Sequence, residues 1–385
     1  MKIHTVLSNK QHPEYGVASI PFPIESDDYE HIIELLEPLE FGDVTDADCF
    51  VEELVSDLSV LQILEGQEIN IDELDYLAKR LDCFAPYELT QFQAVAAQRG
   101  YYMLKDIINL TFCCQEATVV ADFSNLEDIG RKHFLITYDG CTTMGLAKEK
   151  LRLIALDLLQ NNLTGKITPY GVLYDNGMEL KEIYDGSTFP QYRYKDCLVE
   201  VEVSSGNRYA TVYLPSSDVE IERTLKRSGI RSNSNYKIRI EDNALCVDLE
   251  DVLNEVGDVY ALNKMCRIAE QGGDIEKLGA VIRWLEPTST DEIIAVTKEL
   301  LQFDFYPGIH TPEEYGRYFI QDSGRFEYDP ELSEFYDYRR FSKERISQEH
   351  GVFDEAGYIV YNGTMSFDEI MKQRNDQSFE MDDFV

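Results

Sequence analysis

Glu30, Glu34 and Glu37 fall at i, i+4 and i+7, the spacing that lines side chains along one helix face with Cβ atoms about 5–6 Å apart. Such a row has no acid–base partner built into it. What it can do is present fixed negative charge at roughly the interval of phosphates on a nucleic-acid strand. Like charges at this spacing cost a helix a few tenths of a kcal/mol per pair, and a partner surface is one explanation for tolerating that cost. The row belongs to a longer field. Between Lys10 and Lys79 there is no lysine or arginine, while nineteen aspartates and glutamates lie from Glu14 to Asp75. A field of this sign repels nucleic acid and attracts proteins that bind nucleic acid.

The candidates for phosphate-like contacts are Asp27, Asp28, Glu30, Glu34, Glu37, Glu40, Asp43, Asp46, Asp48, Glu52, Glu53 and Asp57, with a C-terminal set of Glu313, Glu314, Asp322, Glu327, Asp329, Glu331, Glu334 and Asp337. Local roles compete at some of them. Asp27, Asp28 and Glu30 sit in an expected first helical turn, where carboxylates complement the macrodipole. Glu313 and Glu314 follow Thr311-Pro312, an N-cap and N1 pair, so capping is the favoured reading there. Asp43, Asp46, Asp48, Glu52, Glu53 and Asp57 carry no such signature and are the stronger candidates.

The elements that must hold these acids are folded ones. Hydrophobic residues make up 44% of the 385-residue chain and aromatics 11%, although 72 acids against 35 bases leave a net charge of -37. Disordered acidic segments lack such apolar content. The eight cysteines include no CxxC pair and the six histidines show no metal-site spacing, so no metal, cofactor or disulfide framework is expected. No GxSxG, P-loop, HExxH or GxGxxG motif occurs, which argues against an enzyme. The absence of a signal-like or membrane-length apolar run leads to the expectation of a cytoplasmic protein with no membrane partner.

The chain repeats itself. Each half opens on a strand–turn–strand pattern, Thr5 to Ile24 and Leu198 to Leu214, followed by helices with apolar residues three and four apart. Glu127-Asp128-Ile129-Gly130-Arg131 matches Glu313-Glu314-Tyr315-Gly316-Arg317, 186 residues on, and Val172 to Gly177 matches Ile359 to Gly363, 187 apart at the tyrosines. The expected fold is α+β, an elongated chain of small domains. The first repeat spans 1–187, with a β-rich unit over 1–66, a helical unit over 67–112 and a mixed unit over 113–187. A linker over 188–194 leads to the second repeat, 195–372, divided at 195–256, 257–303 and 304–372, and an acidic tail over 373–385. Charge is uneven: residues 195–240 hold 6 acids and 8 bases, and Arg223, Lys226, Arg227 and Arg231 are expected either to pair with carboxylates of another unit or protomer or to form a solvated face.

In the second half, EEYGRYFIQDSG (Glu313 to Gly324), ELSEFYDYRRF (Glu331 to Phe341) and HGVFDEAGYIVYNG (His350 to Gly363) resemble the ArdA-type antirestriction proteins. So does the helix start at Ala261 to Met265, while the first half is similar mainly in INIDELDYLAKRLD, Ile69 to Asp82. The resemblance implies small domains in a curved rod that mimics bent B-form DNA and occupies the DNA groove of type I restriction-modification enzymes, without binding nucleic acid itself. It implies a unit of one repeat that pairs with itself, so two repeats in one chain leave open a homodimer or an internal pseudo-dimer. At one charge per about 1.7 Å of duplex axis, the net charge matches roughly 60 Å of B-DNA. Two other readings stand beside it: an acidic adaptor or inhibitor of another DNA-binding defence system such as a CRISPR effector, and solubilisation in high salt.

Overall fold

The computed structural model describes residues 2–101, 103–138, 146–161, 165–231, 235–249 and 258–372; Cys141 and the tail expected over 373–385 lie outside them. The described chain is α+β, with four small sheets separated by helices.

Strand β1 (Ile3–Ser8) buries Ile3, Thr5 and Leu7 on one face, and pairs antiparallel with β2 (Val17–Phe22) and β3 (Cys49–Ser56); β4 (Glu68–Ile69) completes the order β2-β1-β3-β4. Helix α1 (Ser26–Leu36) adds Tyr29, Ile32 and Leu36 to the core, at the i, i+3, i+7 spacing of an inward stripe. Three helices follow: α2 (Ile71–Asp82), α3 (Pro86–Arg99) and α4 (Leu104–Leu110). The Asn70 side chain caps α2 by accepting from the backbone N–H of Asp72 and Glu73. One continuous core runs from Ile3 through Leu74, Phe92 and Ile108 to Tyr184. The boundary expected near residue 66 is therefore absent from the packing, because the sheet and the helices bury their apolar faces against each other.

The first half closes on β5 (Thr118–Val120), α5 (Leu126–Thr137), α6 (Lys148–Asn161), β6 (Lys166–Thr168) and β7 (Gly171–Tyr174), in sheet order β5-β7-β6. The second half runs through the same sequence of elements. Strands β8 (Val199–Ser205), β9 (Arg208–Leu214) and β10 (Lys237–Asn243) form a sheet with β8 central, as β1 is, and helix α7 (Asp218–Arg227) stands where α1 stands. Helices α8 (Val259–Gly272), α9 (Ile275–Leu285) and α10 (Thr290–Lys298) come next. Then β11 (Phe303–Pro307), α11 (Pro312–Arg317), α12 (Tyr338–Ile346), β12 (His350–Phe353) and β13 (Gly357–Tyr361) give the order β11-β13-β12, before α13 (Phe367–Met371).

The matched glycines have one job in both halves. A Cβ on Gly130 would lie 1.8 Å from the Leu151 carbonyl oxygen of α6, and one on Gly316 would lie 2.1 Å from that of Tyr338 in α12. Each lets two helices touch backbone to backbone. The closing strands also correspond, one residue away from the tyrosine pairing. Asn176 Nδ2 donates to Glu116 O (2.8 Å) and Thr118 Oγ1 (2.9 Å); Asn362 N donates to Gln302 O (2.8 Å) and its Nδ2 to Asp304 Oδ2 (2.9 Å). All three pairs are 186 apart, so Tyr361 takes the place of Asp175 rather than that of Tyr174.

By packing, the chain forms one unit of Met1–Tyr194 with Ser217–Ser232 and another of Lys195–Ser216 with Asn233–Val385. Two expectations change. The stretch 188–194 is not a free linker: Phe189 stacks on Tyr76 at 4.6 Å, Tyr76 OH donates to Pro190 O (3.0 Å), and Tyr194 OH donates to Asp82 Oδ2 (2.7 Å). And α7, although it lies beyond residue 195, belongs to the first unit, where it packs beside α1.

Candidate functional site

Of the nineteen acids from Glu14 to Asp75, fourteen are exposed. Among the twelve candidates there, Asp43 and Asp48 are half-buried and the other ten exposed; all eight C-terminal candidates are exposed. On α1, the inward stripe at Tyr29, Ile32 and Leu36 turns Glu30 and Glu34 to solvent, and Glu37 continues the row at the helix end. Among the described residues no basic side chain lies within ion-pair distance of Asp27, Asp28, Glu30, Glu34, Glu37, Glu40, Asp46, Glu53 or Asp57.

Three of the stronger sequence candidates do have local work, because the chain between α1 and β3 supplies backbone donors that sequence spacing did not reveal. Asp48 Oδ2 accepts from the N–H of Gly42 and of Asp43, both at 2.9 Å. Asp43 Oδ1 accepts from Thr45 N (2.7 Å) and Asp46 N (3.0 Å), and the Thr45 N–H, followed by that of Asp46, holds its carboxyl below the usual aspartate range. Glu52 occupies the bulge where the β1–β3 register slips between Val6 and Leu7, and accepts from Ser8 Oγ at 2.7 Å.

The C-terminal candidates divide in the same way. Thr311 and Glu314 form a reciprocal capping box at the start of α11, and the His310 N–H draws the Glu314 carboxyl below its ordinary value. Glu313 pairs with Arg317 at 3.5 Å. Asp329 caps the 3-10 turn Pro330–Phe335 and Asp337 caps α12. Asp322, Glu327, Glu331 and Glu334 are exposed, with no local structural role among the described contacts.

The two arginines of helix α7 are buried inside the first unit. Arg223 Nη2 lies 2.9 Å from Asp72 Oδ2, its Nε contacts both Asp72 oxygens at 3.2 Å, and Tyr29 OH donates to the same carboxylate. Arg227 reaches Glu73 Oε1 (2.7 Å), Asn70 Oδ1 (2.9 Å), Val44 O (2.7 Å) and Ser187 O (2.9 Å), with the Tyr184 hydroxyl also against its guanidinium. Lys79 bridges Asp75 (2.9 Å) and Glu220 (3.2 Å). Burial opposes the charge on Arg223 and Lys79, but the adjacent carboxylates outweigh it and both are held more firmly protonated than usual. Burial raises the Asp75 carboxyl despite Lys79. Sequence reading flagged the arginines of α7 but missed Asp72, Glu73 and Asp75 as their counterparts. The nearest signal was Asn70 three residues before Glu73, an N-cap pattern that fixes where those acids stand on α2.

Among the described residues no group of three or more His, Cys, Asp or Glu is arranged to hold a metal, and no helix is long and apolar enough to cross a membrane. No protein-family model matches this chain, and no curated protein sequence matches it.

Proposed function

We propose that this chain is a non-enzymatic antirestriction protein of the ArdA type, acting in the cytoplasm as a DNA mimic that occupies the DNA-binding channel of a type I restriction-modification enzyme. The observation that carries this reading is the set of exposed carboxylates between Asp27 and Asp57 that have no basic partner among the described residues, Asp43, half-buried and 3.9 Å from Lys226, and the half-buried Asp48 standing apart from it. The withdrawal of Arg223 and Arg227 into buried pairs with Asp72 and Glu73 supports it, since those two arginines are then not available to neutralise the exposed carboxylates. The repeated architecture and the sequence resemblance of the second half point the same way.

The experiment is competition for a purified type I methyltransferase between this protein and a duplex carrying the recognition site. Binding competed by the duplex, and falling steeply with salt as DNA binding does, is the expected result. Binding that is insensitive to salt and unaffected by DNA would replace mimicry with an adaptor role. Absence of binding to type I methyltransferases, joined with DNA-competed binding to a CRISPR effector, would move the target to that other defence system.

A further inference from the structure

The 3-10 turn Pro330–Phe335 holds the most exposed aromatic side chain among the described residues, Phe335 at 83%. With three residues per turn, side chains at i and i+3 eclipse, so the turn has three ridges. The Pro330/Ser333 ridge is tied down through Ser333, half-buried where Pro330 is exposed: Tyr338 OH donates to Ser333 O at 3.0 Å and lies 3.2 Å from Ser333 Oγ. The other two face solvent. One is Glu331 and Glu334; beside it run Leu332, 48% exposed, and Phe335. The turn is braced at both ends, by the Asp329 cap and by Tyr336, whose ring lies against Tyr328 (5.7 Å) and Tyr338 (6.0 Å).

A carboxylate ridge needs no apolar neighbour to imitate phosphates or to keep a protein soluble, and an exposed Leu-Phe ridge is a liability in a plain solvating surface. We propose that Leu332 and Phe335 form an apolar anchor flanked by Glu331 and Glu334, and that it docks into a basic protein surface containing an apolar pocket. Charge complementarity selects the basic rim; the ridge selects a pocket that a DNA backbone would leave unfilled. The proposal rests on the reading that the acids face a DNA-binding protein. It adds a contact that salt does not screen.

The test uses the full chain, a Leu332→Ser/Phe335→Ser variant and a Glu331→Gln/Glu334→Gln variant. The probes are a synthetic amphipathic Lys/Leu helical peptide and a purified type I methyltransferase. At about 0.5 M salt, where exposed charge pairs are largely screened, the serine variant should bind both probes at least about tenfold more weakly than the native chain, the loss expected from leaving one buried phenylalanine uncovered. Its salt dependence should be unchanged. The glutamine variant should keep the high-salt binding and show a shallower salt dependence. Equal high-salt binding of the peptide by the native chain and the serine variant would overturn the anchor. Self-association that the serine variant abolishes would assign the ridge to a second copy and overturn it too. If the native chain ignores the methyltransferase while the peptide difference persists, the anchor stands and the antirestriction reading falls.

Discussion

Asp43, Asp48 and Glu52 are separated from Asp46, Glu53 and Asp57 by what their oxygens touch, and that separation decides which substitutions probe function. Asp48 carries two backbone donors from a half-buried position. Replacing it with alanine should cost about 1–3 kcal/mol by leaving those N–H groups unmatched, read as a shift in the urea midpoint. Neutralising Glu30, Glu34, Asp46, Glu53 and Asp57 to Gln or Asn should leave that midpoint within about 0.5 kcal/mol, as for surface substitutions in general, and should weaken target binding; unchanged binding would move the working surface to the second half. The capping carboxylates add a pH dependence. Asp43 and Glu314 are held below their ordinary values by backbone donors, so their contributions are fully present above the unfolded pKa values of about 4. They are lost as pH falls through the lower folded values. Exchange protection of the Thr45, Asp46, His310 and Thr311 amides should follow that course, and protection already lost at neutral pH would contradict it.

At the scale of elements, α7 and the two matched glycines carry the argument. Arg223 is buried against Asp72, and truncating one partner of such a pair leaves the other charge uncompensated. Arg223→Met should therefore destabilise the first unit by about 3–5 kcal/mol. Combining it with Asp72→Asn should recover much of the loss, and a double-mutant cycle with no coupling would show that the pair is incidental. Gly130→Ala and Gly316→Ala should each push apart a helix pair that now meets at backbone contact, at about 1–3 kcal/mol or more. Hydrogen exchange should show the damage confined to α5–α6 in one variant and α11–α12 in the other. The repeat was readable from these elements because a glycine at a backbone crossing and an asparagine bracing a strand leave their identity in the sequence. The one-residue slip in the tyrosine match arose where the side chains merely look alike, while the hydrogen bonds equate Asn176 with Asn362.

For the whole molecule, salt should act in opposite directions on folding and on binding. Screening relieves self-repulsion in a chain of net charge -37, so the thermal midpoint should rise between low and physiological salt while target affinity falls. A midpoint that drops with salt would mean that ion pairs such as Arg223–Asp72, and not repulsion, dominate the electrostatics. The sequence by itself determined the sign and size of the charge, the folded character of the acidic region and the duplicated order of elements, because composition, apolar period and caps are properties of neighbours along the chain. Only the tertiary structure decided which acids remain available. Asp72 and Glu73 meet arginines about 150 residues away, on a helix that the chain order assigns to the other repeat. Asp48 meets two N–H groups that appear only when the loop after α1 turns back. Ion pairing and backbone satisfaction depend on distance in space, and no spacing rule along the chain supplies that distance.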